Sequence, residues 1–281
     1  MLHFIRKIIL LGVLLHFFSQ VGLCQPKVGL ALGGGGAKGA ATIGVLKVIE
    51  EAGIKVDYVA GTSIGAIIGG LYASGYSIQE MEDMFLSQEW KDILDGDKVE
   101  SNIQKWLARY GVEQFKDTRI PFRCVAAKEN NFEEVVLYNG LLYKAIRASM
   151  SIPRVYESVK WDDMYLVDGG VANNLPVDVV KEMGADIVIA IDLQQPNGIS
   201  LGISVRELFN IGVLADWFLS RPDLPRYYEN IKETDVHINP RLPDFSAASF
   251  GHDNCELMMQ LGEEKAREHW DELIEIRNRQ R

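Results

Sequence analysis

Three short stretches carry residue types at spacings that could do acyl-transfer chemistry. The first is Gly61-Thr62-Ser63-Ile64-Gly65, inside VDYVAGTSIGAIIGGLYASGY at positions 56–76. A strand-like run enters it and a small-residue apolar helix leaves it, the G-x-S-x-G arrangement that puts a serine at the apex of a tight turn. Gly61 and Gly65 leave room where the backbone comes too close for a Cβ. The turn pushes Oγ out above a helix N-terminus, which favours developing negative charge. Ser63 is thus a candidate nucleophile. The motif is common by chance, so it needs oxyanion donors and a base.

The second stretch supplies donors. Gly33-Gly34-Gly35-Gly36-Ala37-Lys38-Gly39 follows the strand-like Lys27–Leu32 and opens a helical pattern over Ala40–Ala52. Gly34-x-Gly36-x-x-Gly39 also satisfies the dinucleotide fingerprint, which calls for an acid at the carboxyl end of the next strand. Asp57 stands at the amino end of that strand instead, and Gly61-Thr62-Ser63 holds its carboxyl end. A Walker loop fails too, because Lys38 is followed by Gly39, with no Ser or Thr to hold magnesium. Consecutive glycines expose backbone N–H groups suited to an oxyanion, and losing one such donor costs about 2.7–4 kcal/mol of barrier. The plainer alternative is a tight strand–helix turn.

The third stretch offers the base. Asp168-Gly169-Gly170 ends the strand-like Met164–Val167, and the glycines allow close approach to another element. A carboxylate touching Ser63 Oγ can take its proton, provided burial or geometry offsets a pKa of about 3.9. Its plain reading is a turn aspartate. The rival base is a histidine: His237 or His252 completes the order Ser, Asp, His, with Asp168 or Asp192 between. However, His237 alternates with Val236 and Ile238 in a short strand, His252 adjoins a helix start, and His269 falls on a charged helix face. Asp168 is the preferred base.

Placing these stretches takes alternating strands and helices. Ser77-x-x-Glu80 reads as a capping box opening a helix. Residues 88–118 read as a polar, irregular excursion with short helical pieces. Pro121–Ala127 and Phe132–Tyr138 read as strands, Asn139–Ser149 as a helix, and Val155–Val159 with Met164–Val167 as a hairpin about Asp162-Asp163. Helix Pro176–Met183, buried strand Asp186–Ile191, apolar helix Leu201–Leu219 and short strand Val236–Ile238 follow. The last element reads as one long helix, Asp253–Arg279, with Leu257, Leu261 and Trp270 on one face. This alternation predicts an α/β fold, a mainly parallel central sheet sandwiched by helices.

The chain has 281 residues, 47% hydrophobic and 24% charged, and no linker divides it after residue 26. One domain over 25–281 is expected. Residues 1–24 differ: Arg6 and Lys7 precede the apolar Ile8–Phe18 and a short polar end, the layout of a secretory signal. Cleavage falls before Gln25, with lipidation of Cys24 as the alternative. Export to the periplasm, the outer membrane or the medium follows. Cys124 reads as a buried free thiol, with a Cys124–Cys255 bridge left open. No Cys/His spacing suggests zinc. The net charge of −10 grows more negative once Arg6 and Lys7 are set aside, which argues against nucleic acid and against simple adhesion to an anionic bilayer. Contact with lipid would be apolar and local.

Taken together, Gly34-Gly35-Gly36-Ala37-Lys38-Gly39, Gly61-Thr62-Ser63-Ile64-Gly65 and Asp168-Gly169-Gly170 resemble the patatin-like phospholipase family over about residues 27–195. The resemblance implies a three-layer α/β/α fold and a Ser–Asp dyad without histidine: Ser63 as nucleophile, Asp168 as base, and the amides of Gly34, Gly35 and Gly36 as oxyanion hole. Lys38 occupies the family's Arg/Lys position in the glycine loop. It further implies hydrolysis of acyl esters of phospholipids, lysophospholipids or neutral lipids, transient membrane contact, and no calcium or other cofactor. Exported bacterial members often continue into an outer-membrane barrel, which is not in this sequence. The alternative is a non-catalytic exported module that binds lipid or assists membrane assembly on the same fold.

Overall fold

The computed structural model describes residues 25–87, 98–195, 225–242 and 244–281. The expected leader and the expected apolar helix 201–219 lie outside them. β1 (Val28–Leu32) is buried along its whole length. After the glycine loop, α1 (Gly39–Glu51) ends at Ala52-Gly53, with Gly53 at φ 76°. β2 (Val56–Thr62) hands over to α2 (Ile64–Ser74). α3 (Ile78–Leu86) opens on the expected capping box, in which the Ser77 and Glu80 side chains each accept the other's backbone N–H. α4 (Val99–Arg109) is a regular helix within the stretch expected to be irregular. Its buried face is only Val99, Ile103 and Leu107, a thin stripe easily missed in a polar run.

β3 (Phe122–Lys128), β4 (Glu134–Leu137), α5 (Leu142–Ser149), β5 (Val159–Trp161) and β6 (Met164–Asp168) follow. Then come α6 (Val177–Glu182), β7 (Ile187–Ile191), α7 (Pro225–Lys232) and β8 (Val236–Ile238). The expected single last helix is two, α8 (His252–Glu268) and α9 (Trp270–Arg279), broken where His269 leaves helical geometry at φ −97°, ψ 13°. Leu257 is half-exposed, and the inward face of α8 is Cys255, Met258, Met259, Gly262 and Ala266. This face presses on α1 backbone to backbone, Gly262 against the Ala41 carbonyl and Gly44 against that of Met259. Small residues, not large ones, set that contact. Cys124 and Cys255 are both buried free thiols, without a bridge.

Among the described residues, eight strands form one sheet in the order β5-β6-β3-β2-β1-β7-β8, with β4 also on β3. β3, β2, β1, β7 and β8 are mutually parallel, while β4, β5 and β6 make the antiparallel pairs. Leu30, Leu32 and Val59 pack towards α1, α2, α3, α5, α8 and α9 on one face. The small Ala31, Ala60 and Ala190 on the other face meet α6 and α7. The mainly parallel sheet between helix layers is as the sequence predicts.

Register at β3 explains how the site is assembled. β2 pairs with residues 122–125 of β3, ending at Thr62↔Val125, and β4 occupies the opposite edge of residues 124–127. β6 pairs with residues 126–128 from Asp168↔Ala126 onward. Since β4 holds one edge, β2 and β6 must share the other, end to end. Where β2 peels away into the serine turn, β6 takes its place on the ladder. Thr62 and Asp168 thus oppose consecutive β3 residues, about 3.4 Å apart along the strand.

Candidate active site

Ser63 is the single residue between β2 and α2, with φ 57° and ψ −122°. For a non-glycine residue that region is strained by about 1–3 kcal/mol and persists only when its surroundings over-determine it. They do so here. Ser63 N–H donates to Ser149 Oγ (3.0 Å), which itself donates to Val125 O (2.5 Å). Ser63 O accepts from Ala66 and Ile67 N–H, and the preceding Thr62 hydroxyl donates to Asn173 O at 2.8 Å. A Cβ at Gly65 would lie 2.3 Å from Leu32 O. Gly65→Ala is therefore expected to destabilise the protein by about 3 kcal/mol through backbone overlap. Gly251→Ala, where only an asparagine side-chain nitrogen comes near, should cost about 1 kcal/mol or less in the same urea titration, as the loss of the glycine N-cap of α8.

Asp168 is fully buried at the end of β6. Its N–H donates to Ser151 O, and its Oδ1 accepts Gly170 N–H at 2.8 Å. Gly169 and Gly170 form the tight turn that follows. Oδ2 has no closed hydrogen bond. Burial pushes the carboxyl up to about 7, against the smaller opposing pull of the Ser63 hydroxyl and then Gly170 N–H. The hydroxyl thus acts on the carboxylate without closing on it, and such bonds commonly tighten only as substrate binds.

The glycine loop passes beside the turn, a Cβ on Gly34 falling 3.1 Å from that of Ser63. Gly33 N–H donates to Ile191 O and Gly34 N–H to Asn174 O (3.2 Å), while Asn174 Nδ2 donates back to Gly34 O (3.2 Å). Ala37 N–H is bound to Ala247 O. Among the described residues, only Gly35 and Gly36 of the loop's first four glycines have amides that donate to nothing. The donor set expected at Gly34 to Gly36 is thus narrower by one. Lys38 is buried at the start of α1, whose first residue is Gly39. No three His, Cys, Asp or Glu side chains converge on a metal site among the described residues.

The sequence profile of the patatin-like phospholipase family matches residues 30–181, more than half of the chain. The chain belongs to the patatin-like phospholipase family. Relatives include a lysophospholipase of Emericella nidulans, 36% identical over 187 residues, and one of Candida albicans, 35% identical over 185. Each alignment covers 61% of this chain but only 12% and 13% of those much longer proteins. The structure of ExoU, in complex with SpcU from the type III secretion system of Pseudomonas aeruginosa, is similar at a TM-score of 0.53 and 18% identity. That similarity covers 89% of this chain and 52% of the other. It speaks to the fold alone.

In this patatin-like domain no described histidine reaches Ser63. His237 Nε2 lies 3.0 Å from Asp192 Oδ2, which also accepts from the Tyr227 hydroxyl. β8 lies three strands from β2, about 14 Å across the sheet. His252 pairs with Asp253 on α8, and His269, at the break between α8 and α9, pairs with Glu272. Sequence reasoning missed Thr62, Ser149, Asn173 and Asn174, which hold the turn and the loop. The one available signal was the Asn pair five residues past Asp168: buried amides need partners, and these sit at 3% and 6% exposure.

Proposed function

We propose that this domain is a serine acyl hydrolase that cleaves fatty-acyl esters of phospholipids or lysophospholipids through Ser63 and Asp168. The observation that carries this reading is the buried, half-satisfied Asp168 carboxylate set against the strained Ser63 turn. A carboxyl at about 7 is poised as a base at neutral pH, whereas an ordinary aspartate would be a poor one. Asp168 Oδ2 takes the Ser63 hydroxyl proton as Oγ attacks the ester carbonyl. The amides of Gly35 and Gly36 donate to the oxyanion. Collapse breaks the bond to the alcohol, which leaves with the proton from Asp168. Water, deprotonated by the same carboxylate, then releases the fatty acid from the acyl-serine and restores both groups.

The lipid class rests on the family and on relatives whose names say lysophospholipase. This chemistry asks for no calcium or cofactor, and the signal-like layout of residues 1–24 supports export of the enzyme to the periplasm, the outer membrane or the medium. The test is covalent. A fluorophosphonate probe should label the wild type at Ser63, with lysophosphatidylcholine competing and free fatty acid appearing when the lipid is supplied alone. A lipid-binding module would bind the lipid and stay unlabelled, which would overturn the hydrolase reading.

A further inference from the structure

The residues that hold the three motifs together converge on Asn173, and a charged cluster holds Asn173. Its backbone carbonyl receives the Thr62 hydroxyl, next to Ser63. The following residue, Asn174, is bonded in both directions to Gly34. Asn173 itself lies in the loop that begins at Asp168. One dipeptide therefore ties the nucleophile turn, the glycine loop and the acid loop.

The Asn173 amide is fully engaged. Nδ2 donates to Glu134 Oε1 and Asp178 Oδ1, both at 2.8 Å, and Oδ1 accepts from Asn230 Nδ2 at 3.0 Å. Two carboxylates on one amide repel each other and need a counter-charge. Arg226, near the start of α7, supplies it by bridging Asp178 and Glu134 with its guanidinium. The next residue, Tyr227, bonds Asp192 at the end of β7, which pairs with β1 just before the glycine loop. α7 thus anchors both sides of the site.

We propose that Arg226 is a positioning residue for the Ser63–Asp168 site, fixing Asn173 through Glu134 and Asp178 so that the three motifs stay in register. This rests on the hydrolase reading above. An ordinary, partly exposed ion pair would contribute little stability and nothing to turnover. A misplacement of about 1 Å at reacting groups, by contrast, costs on the order of a hundredfold in rate.

The experiment is steady-state hydrolysis of p-nitrophenyl butyrate by the full chain. Arg226→Met should lower kcat about thirtyfold with KM within about twofold, and slow fluorophosphonate labelling in parallel. Glu134→Gln added to Arg226→Met removes one of the two uncompensated charges while keeping the acceptor for Asn173. It should recover kcat about tenfold, where two merely structural losses would add. Should Arg226→Met fail to fold by circular dichroism, Arg226→Lys serves, because an ammonium keeps the charge without the fork that spans both carboxylates. Its kcat should fall with KM unchanged. A variant kcat within about threefold of an active wild type, or no recovery in the double variant, overturns the proposal. A wild type that neither labels nor hydrolyses overturns the hydrolase reading, and the inference with it.

Discussion

Replacing Ser63 with alanine is expected to lower ester hydrolysis by at least about 10⁴-fold, to background, with the fold intact. The size follows from the role: the attacking atom is gone, and residual rate can come only from binding and oxyanion donors. The turn adds a second expectation. Ser63 is held at φ 57°, ψ −122° by its neighbours, and alanine inherits that strain. Glycine does not, so Ser63→Gly should be as inactive as Ser63→Ala yet about 1 kcal/mol more stable than it. Thermal melts of the two variants side by side check this. Equal stability would mean that the turn stores no strain, and appreciable turnover by either would place the nucleophile elsewhere.

Asp168→Asn should lose about 10³-fold or more in kcat, within reach of what a positioned base contributes. It should also raise stability at alkaline pH. The sign follows from burial: the carboxyl sits at about 7 in the folded protein against 3.8 as its ordinary value. Between those values the folded state binds more protons than the unfolded one, so stability falls as pH rises from about 4 to 7. Above 7 the wild type keeps a buried charge that asparagine lacks. The melting temperature of Asp168→Asn should exceed that of the wild type at pH 8, and the gap should close towards pH 4. The same group shapes the activity profile, with kcat/KM rising through about pH 7 as the base deprotonates and then levelling. A gap that does not change with pH would mean that Asp168 is not a buried acid of raised pKa.

Much of the layout was legible because it rests on local rules. Buried strands such as Val28–Leu32 and Ile187–Ile191 announce themselves as short apolar runs, and Ser77 with Glu80 announces a helix start. Failures came where packing overrode pattern. α4 shows three apolar side chains in a polar run, and α8 turns glycine and alanine inward because its backbone touches that of α1.

The chain by itself determined which chemistry was on offer: a serine between glycines at a strand–helix turn, a glycine loop after the first strand, and an aspartate before two glycines. These are properties of neighbouring residues, so they are legible in the sequence alone. Only the tertiary structure decided that Ser63 and Asp168 become neighbours, because β2 and β6 share one edge of β3 end to end. It also decided that Gly34 is occupied by Asn174 while Gly35 and Gly36 remain open, and that His237 faces Asp192 instead of Ser63. Those outcomes depend on strand order and on partners more than a hundred residues away, or 45 in the case of His237. Hydrogen-bond pairing across a sheet leaves no local trace in the sequence that specifies it.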